Sequence, residues 1–149
     1  PDMALFKFIK AILNGDPIDV YNYGNMSRDF TYIDDIVSSV RLLMDVVPKS
    51  NEFPATNNTS CDSISSVAPF RVVNIGNSKP SQLLDFITSI EQYTGTKAVK
   101  RLIPMQAGDV PATWADTSLL EALTNYHPKT DLNTGVQKFI DWYREYYKV

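Results

Sequence analysis

Between Tyr21 and Asp35 the chain reads YNYGNMSRDFTYIDD, and inside that stretch the hydrophobic pattern changes period. Thr31 and Ile33 alternate as β-branched residues, whereas Ile36, Val37, Val40, Leu43, Met44 and Val47 recur at helical spacing. A chain that must leave a strand and enter a helix within a few residues is neither all-helical nor all-β. The pattern predicts a strand over Arg28 to Ile33 and a helix from about Asp34 to Val47, closed by Pro48. Asp34 and Asp35 stand at the junction, where a carboxylate can accept from the free N–H groups of a first helical turn, so they read as capping residues. Arg28 lies between the turn Tyr23-Gly24-Asn25 and the aromatic strand. Its planar fork of donors suits a pair of phosphate oxygens. Spacing alone is equally compatible with a salt bridge to Asp29 or Asp34.

The remaining chain alternates between the two periods. Leu5, Phe8, Ile9, Ile12 and Leu13 form one apolar helical face, stopped at Asn14-Gly15. Pro17 to Tyr21 reads as a short strand. Phe70 to Ile75, FRVVNI, reads as a buried strand, followed by the Gly76-Asn77 turn and a helix opened by Ser78 or Pro80 and stopped at Gly95. Val99 to Ile103 is a further strand, Pro104 to Pro111 an irregular turn, and Thr113 to Asp116 a short extended piece. Ser118 and Glu121 have capping-box spacing for a helix through Thr124. The last helix, from about Asp131, places Leu132, Val136, Phe139, Ile140 and Tyr143 on one face, and its aromatic end WYREYY reads as packing. Residues 49–69 are rich in Ser, Thr and Asn and read as an exposed loop, with Asn51 to Ser66 poorly ordered. Strands and helices intermingle without a strict βαβ rhythm, which gives an α/β or small α+β class and a single domain over 1–149.

Composition excludes several function classes. At 149 residues, 44% hydrophobic and 21% charged, the chain has the make-up of a globular domain able to bury a core. A formal charge of −3 gives no sequence-wide attraction to nucleic acid or anionic lipid, so neither is an expected partner, and no apolar run approaches a membrane span. The single cysteine, Cys61, cannot form an internal disulfide, which argues for a reducing compartment. The single histidine, His127, precedes a proline and reads as a loop residue; one histidine supports neither a zinc site nor a serine-type triad. The N-glycosylation triplets at Asn25, Asn57 and Asn58 are short enough to arise by chance.

Two cofactor signatures fail on inspection. The glycines, at 15, 24, 76, 95, 108 and 135, are too scattered for a glycine-rich turn under a dinucleotide pyrophosphate. Tyr93 and Lys97 have the spacing of a catalytic tyrosine–lysine pair, but Gly95 between them reads as a helix stop, and such a pair needs a continuous helical turn. No catalytic, cofactor-binding or metal-ligating residue is therefore assigned.

RDFTYIDD, preceded by YNYGN and followed by VVNIGN and QAGDVPATWAD, resembles the carboxyl-terminal half of the extended short-chain dehydrogenase/reductases. Within them it is most similar to the NAD-dependent nucleotide-sugar 4-epimerases that act on UDP-glucuronate; PDMALFKFIKAIL and FIDWYREYYKV fit that subgroup as well. The resemblance implies the substrate-binding portion of such an enzyme, lacking most of the Rossmann domain, with NAD held by the amino-terminal domain and not by this chain. It implies a cytoplasmic enzyme, dimeric through the absent domain and serving polysaccharide synthesis. The chain alone would then be inactive.

Carried over residue by residue, the resemblance assigns Arg28 to the diphosphate and Asp109 to the ribose, with Thr113 close by. Val20, Tyr21 and Tyr23 flank the uracil, and a Met3 backbone group faces the nucleotide. Gln106 stands where epimerases of neutral hexoses commonly have an arginine, which fits the uronate subgroup. Another sugar dehydratase, decarboxylase or neutral-hexose epimerase shares these segments, and a non-catalytic nucleotide-binding module is the alternative of a different class.

Overall fold

The computed structural model describes residues 3–49 and 62–149. In chain order the elements are α1 (Ala4–Asn14), β1 (Pro17–Val20), a tight 3-10 turn (Tyr21–Gly24), β2 (Ser27–Arg28), α2 (Ile33–Leu43), β3 (Ser81–Gln82), α3 (Leu83–Thr94), β4 (Val99–Leu102), β5 (Ala112–Thr113), α4 (Ser118–Thr124) and α5 (Leu132–Tyr147). They form two compact units, each assembled from separated pieces of chain. The first comprises Pro1–Arg28, Pro80–Thr113 and Asp131–Val149, and the second Asp29–Lys79 and Trp114–Thr130. The mixed α/β character expected from the sequence is present.

The first unit has an apolar core. Ile9 and Ile12 from α1, Phe86, Ile87 and Ile90 from α3, and Val136, Ile140 and Tyr143 from α5 are buried together with Ile18, Val20 and Met26. α3 packs against both α1 and α5, and the Tyr143 ring meets Phe6 edge-on at 5.3 Å. Part of the aromatic end of α5 is thus packing, as expected, whereas Trp142 and Tyr146 stack on each other at 5.4 Å and stay exposed. Glycine ends α1 and α3 as the sequence indicates: Gly15 (φ 76°) and Gly95 (φ 73°) adopt the left-handed conformation that releases the chain from a helix. With α3 over at Thr94, Lys97 lies beyond it and pairs with Glu91 at 2.8 Å. The Glu91 carboxylate also takes the Lys100 ammonium and the Ala98 amide, tying the end of α3 to β4.

Two small sheets complete this unit. β1 and β4 pair in parallel with Val20 opposite Leu102. β2 lies between β3, antiparallel with Arg28 opposite Ser81, and β5, parallel with Arg28 opposite Thr113. β3 is a correction to the sequence reading, which opened the helix at Ser78 or Pro80. Here Ser81 and Gln82 are drawn into the sheet by β2, and α3 begins at Leu83, whose N–H donates to Met26 O.

Among the described residues of the second unit, carboxylates join separated stretches of chain. Asp29 accepts from the backbone amides of Ser78 (2.9 Å), Ala115 (3.2 Å) and Lys79 (3.4 Å). Gly76 passes so close that a Cβ there would lie 2.6 Å from the Ala115 Cβ and 2.9 Å from Asp29 Oδ2. Asp35 accepts from the Tyr126 hydroxyl (2.6 Å) and the Thr130 amide (2.9 Å). Burial pushes its pKa up, yet these hydrogen bonds outweigh burial and hold it below the usual carboxylate value. Asp62 and Arg71 form a buried ion pair at 3.0 Å, and Asp62 falls within the stretch expected to be an exposed loop. The poorly ordered segment expected at Asn51 to Ser66 falls largely on residues outside those described, as do Cys61, Asn57 and Asn58.

Several boundaries differ from the sequence reading for identifiable reasons. The strand expected at Arg28–Ile33 is only Ser27–Arg28, because Asp29 turns its side chain to the loops around residues 78 and 115. α2 starts at Ile33 with Tyr32 at the N-cap position, where its side chain makes no capping hydrogen bond, and Asp34 and Asp35 lie in the first turn instead of capping it. α2 stops at Leu43, four residues before the expected end at Val47. Its buried positions are Asp35 and Ser39, while Val37, Val40 and Met44 are exposed. Phe70–Ile75 adopts no strand, and Phe70 and Val72 are exposed. Ser118 is the first residue of α4 and not its cap; its N–H donates to Asp116 Oδ1 at 2.9 Å.

Candidate functional site

Arg28 stands at the middle of the three-stranded sheet because Ser27 and Arg28 are paired on both edges, to β3 and to β5. The Ser27 N–H donates to Pro111 O at 2.8 Å, which closes the loop from Pro104 to Pro111 onto β2. Within that loop the Asp109 N–H donates to Gln106 O at 3.2 Å, across Gly108 in the left-handed region (φ 83°). The turn aims the Asp109 carboxylate back at Arg28. Its Oδ1 accepts from Arg28 Nη2 at 2.8 Å and from the Val110 amide at 2.8 Å. Arg28 Nη1 donates to Ser27 O at 2.9 Å, so the guanidinium is oriented by two separate groups. Both side chains of the ion pair remain about one-third exposed, at 31% and 34%. They are held in place and are still reachable.

The partner of Arg28 is thus Asp109 and not Asp29 or Asp34. Spacing could offer only sequence neighbours, whereas the carboxylate that meets the guanidinium lies on a loop brought back by sheet pairing. Thr113, exposed on β5, sits in register beside Arg28. Four expected positions are therefore gathered in one place: Arg28, Asp109, Thr113 and, through its carbonyl, Gln106.

The Val20–Tyr23 segment reaches the same loop from its other end. Val20 O accepts from Ile103 N–H and the Tyr23 N–H donates to Ile103 O, both at 3.1 Å. Ile103 immediately precedes Pro104, where the loop starts. The Val20 side chain is fully buried, Tyr21 is half-buried and Tyr23 is exposed. Asn22 (φ 48°) and Tyr23 (φ 52°) are both left-handed, a costly arrangement for consecutive side-chain-bearing residues and one that proteins retain mostly where geometry is functional. Asn22 supports it by donating its side-chain amide to Asn25 O at 2.8 Å. Gly24 closes the turn with Leu84 so near that a Cβ would lie 2.8 Å from it. Met3 is highly exposed at the N-terminal end of α1, where its carbonyl accepts from Lys7 N–H, and no hydrogen bond ties it to the Arg28 cluster.

Ser27 and Pro111 were not singled out by sequence reasoning. Both act through backbone carbonyls, which no side-chain motif reveals. Gly15 and Gly95 follow helix C-termini, the opposite end from the one that favours a phosphate. Among the described residues no three His, Cys, Asp or Glu side chains gather as a metal site needs, and no helix is long and apolar enough to cross a membrane.

Comparison with known proteins gives these elements a context. The model of the NAD dependent epimerase/dehydratase family matches residues 1–55. Protein CapI of Staphylococcus aureus is 47% identical over 99% of this chain, which spans 44% of that protein. UDP-glucuronate 4-epimerase 4 of Arabidopsis thaliana is 42% identical, again over 99% of this chain and 33% of its own length. In structure, the UDP-glucuronic acid 4-epimerase of Bacillus cereus, crystallised with UDP-glucuronic acid and NAD, superposes with a TM-score of 0.77 at 28% identity over 99% of this chain and 41% of that one. The chain thus spans less than half the length of the relatives it matches. Sequence, elements and superposition agree, and the chain belongs to the NAD-dependent epimerase/dehydratase family.

Proposed function

We propose that this chain is the carboxyl-terminal, nucleotide-sugar-binding portion of an NAD-dependent UDP-glucuronate 4-epimerase, which interconverts UDP-glucuronate and UDP-galacturonate when intact. The observation that carries the reading is the convergence of Arg28, Asp109 and Thr113 on one small sheet, with the loop that bears Asp109 hydrogen-bonded at both ends. A guanidinium matches a diphosphate by charge and by fork geometry. The Asp109 carboxylate, an acceptor, suits ribose hydroxyls, and the exposed Thr113 hydroxyl can add a further contact. Tyr21 and Tyr23 supply aromatic surface for the uracil beside Val20, and the Met3 end of α1 completes the nucleotide site. Gln106, in place of a second arginine, favours a uronate over a neutral hexose.

The cofactor is assigned to the remainder of the intact enzyme, as the family resemblance implies. In the intact enzyme NAD supplies the hydride chemistry at C4 of the sugar. The residues of this chain bind and orient the nucleotide diphosphate so that the sugar is presented to it. We place the intact enzyme in the cytoplasm, as a dimer formed through the other domain.

The test is titration of UDP into the intact enzyme and its Arg28→Ala variant. Loss of charge-assisted hydrogen bonds at about 1.5 to 3 kcal/mol each should weaken UDP and UDP-glucuronate together, by on the order of tenfold to a hundredfold. Arg28→Lys should recover only part of this. Unchanged UDP affinity in Arg28→Ala would remove the assignment.

A further inference from the structure

The Arg28 guanidinium is already engaged by an anion, Asp109, and both partners are residues that the proposed function gives to the ligand. A diphosphate and a carboxylate compete for the same fork. Arg28 Nη2 is held by Asp109 and Nη1 by Ser27 O, which uses two of the five N–H donors of a guanidinium. An incoming diphosphate needs parallel donors on one edge of the fork, and it brings negative charge against a carboxylate lying 2.8 Å from that edge. The pair is about one-third exposed, the range in which ion pairs contribute little to folding and are readily exchanged. Asp109 also sits on a turn whose neighbour Gly108 is left-handed, in a loop whose residues 104–108 are all exposed.

We propose that Asp109 is a specificity-determining residue that makes binding of the diphosphate depend on the ribose attached to it. In the free protein Asp109 stands in for the ligand's anion on Arg28. When a nucleoside diphosphate enters, the phosphates take the guanidinium, and Asp109 exchanges its hydrogen bond with Arg28 for one from a ribose hydroxyl. A ligand with both groups offsets the cost of displacement. Inorganic pyrophosphate and polyphosphates bear the same charge but offer no hydroxyl, so they meet the cost with no return. The site thereby rejects abundant free phosphates by an element of repulsion as well as by a missing contact. This inference rests on the proposed function of the site.

The experiment is isothermal titration of the intact enzyme with UDP and, separately, with inorganic pyrophosphate, using wild type, Asp109→Asn and Arg28→Ala. The Asn side chain keeps an acceptor oxygen for the Val110 amide and for Arg28 while removing the charge. The two affinities should move in opposite directions in Asp109→Asn. Pyrophosphate should bind about fivefold more tightly and UDP about tenfold more weakly. In Arg28→Ala both should weaken. If UDP weakens in Asp109→Asn while pyrophosphate is unchanged or weaker, Asp109 is only a ribose acceptor and the inference fails. It fails equally if Asp109→Asn changes neither affinity while Arg28→Ala weakens UDP. An Arg28→Ala variant with wild-type UDP affinity would instead overturn the site assignment itself. Should Asp109→Asn not yield folded protein, Asp109→Ser is measured with the same two ligands and judged by the same opposite signs.

Discussion

Adjacent residues in RDFTYIDD have divergent tasks. Arg28 pairs with Asp109 and stays partly exposed, whereas Asp29 collects three backbone amides and Asp35 binds a tyrosine hydroxyl and a further amide. Arg28 stands out in the sequence by its type and its turn, but its partner does not, because Asp109 lies on a loop brought back by sheet pairing. Asp34 and Asp35 read as caps because the sequence shows a helix start beside them, and Asp29 reads as a salt-bridge partner for Arg28; the sequence does not show loops arriving from residues 78, 115 and 130. Gly76 is tied to the same arrangement. Its role is close approach and not backbone freedom, so Gly76→Ala should cost about 1 to 3 kcal/mol of stability in urea melts, as overpacking does. Adding Ala115→Gly should recover part of the loss by removing the nearer clash and leaving that with Asp29. Tyr126→Phe should cost about 1 to 2 kcal/mol, since the Asp35 carboxylate is buried and would lose a donor.

Helices were easier to foresee than strands, and the reason is the range of the interactions. The period of a helix and its glycine stop are local, so α1, α3 and α5 end or begin within a few residues of where Gly15, Gly95 and Asp131 place them. β2, β3 and β5 span two residues each and exist only because they meet one another, so no local pattern announces them. The same logic applies to Phe70–Ile75, whose composition suits a strand but whose backbone is met by Ser63 Oγ at Val72 and by the Ser65 N–H at Phe70 instead of by a strand partner. The join of α3 to β4 is an ionic element with a testable pH signature. Burial would raise the pKa of Glu91, but the Lys100 and Lys97 ammonium groups and the Ala98 amide lower it from 4.5 to about 2. A carboxyl depressed by folding stabilises fully above its unfolded pKa and loses that contribution as pH falls through the folded value. Glu91→Gln should therefore be less stable than wild type by about 1 to 3 kcal/mol at pH 7. The gap should close between pH 4.5 and about 2, as followed by urea melts across that range.

The two units differ in what holds them. The first has an apolar core to which three helices contribute, and in the second Asp29, Asp35 and the Asp62–Arg71 pair join separated stretches of chain, with Leu119 and Leu120 buried. Ile140, fully buried in the first, should cost about 2 to 5 kcal/mol when replaced by alanine, read from chemical denaturation. Neither unit is a continuous stretch of chain, so the single domain expected from length could not have announced where they divide. The first unit draws its core from both sides of the second in sequence, and the order of synthesis matters in consequence. Val136, Ile140 and Tyr143 are translated after every partner they cover. At roughly 5–20 residues per second, the faces of α1 and α3 wait several seconds on the ribosome before α5 emerges. Through that interval Phe86, Ile87 and Ile90 lack the cover that α5 gives them in the folded unit.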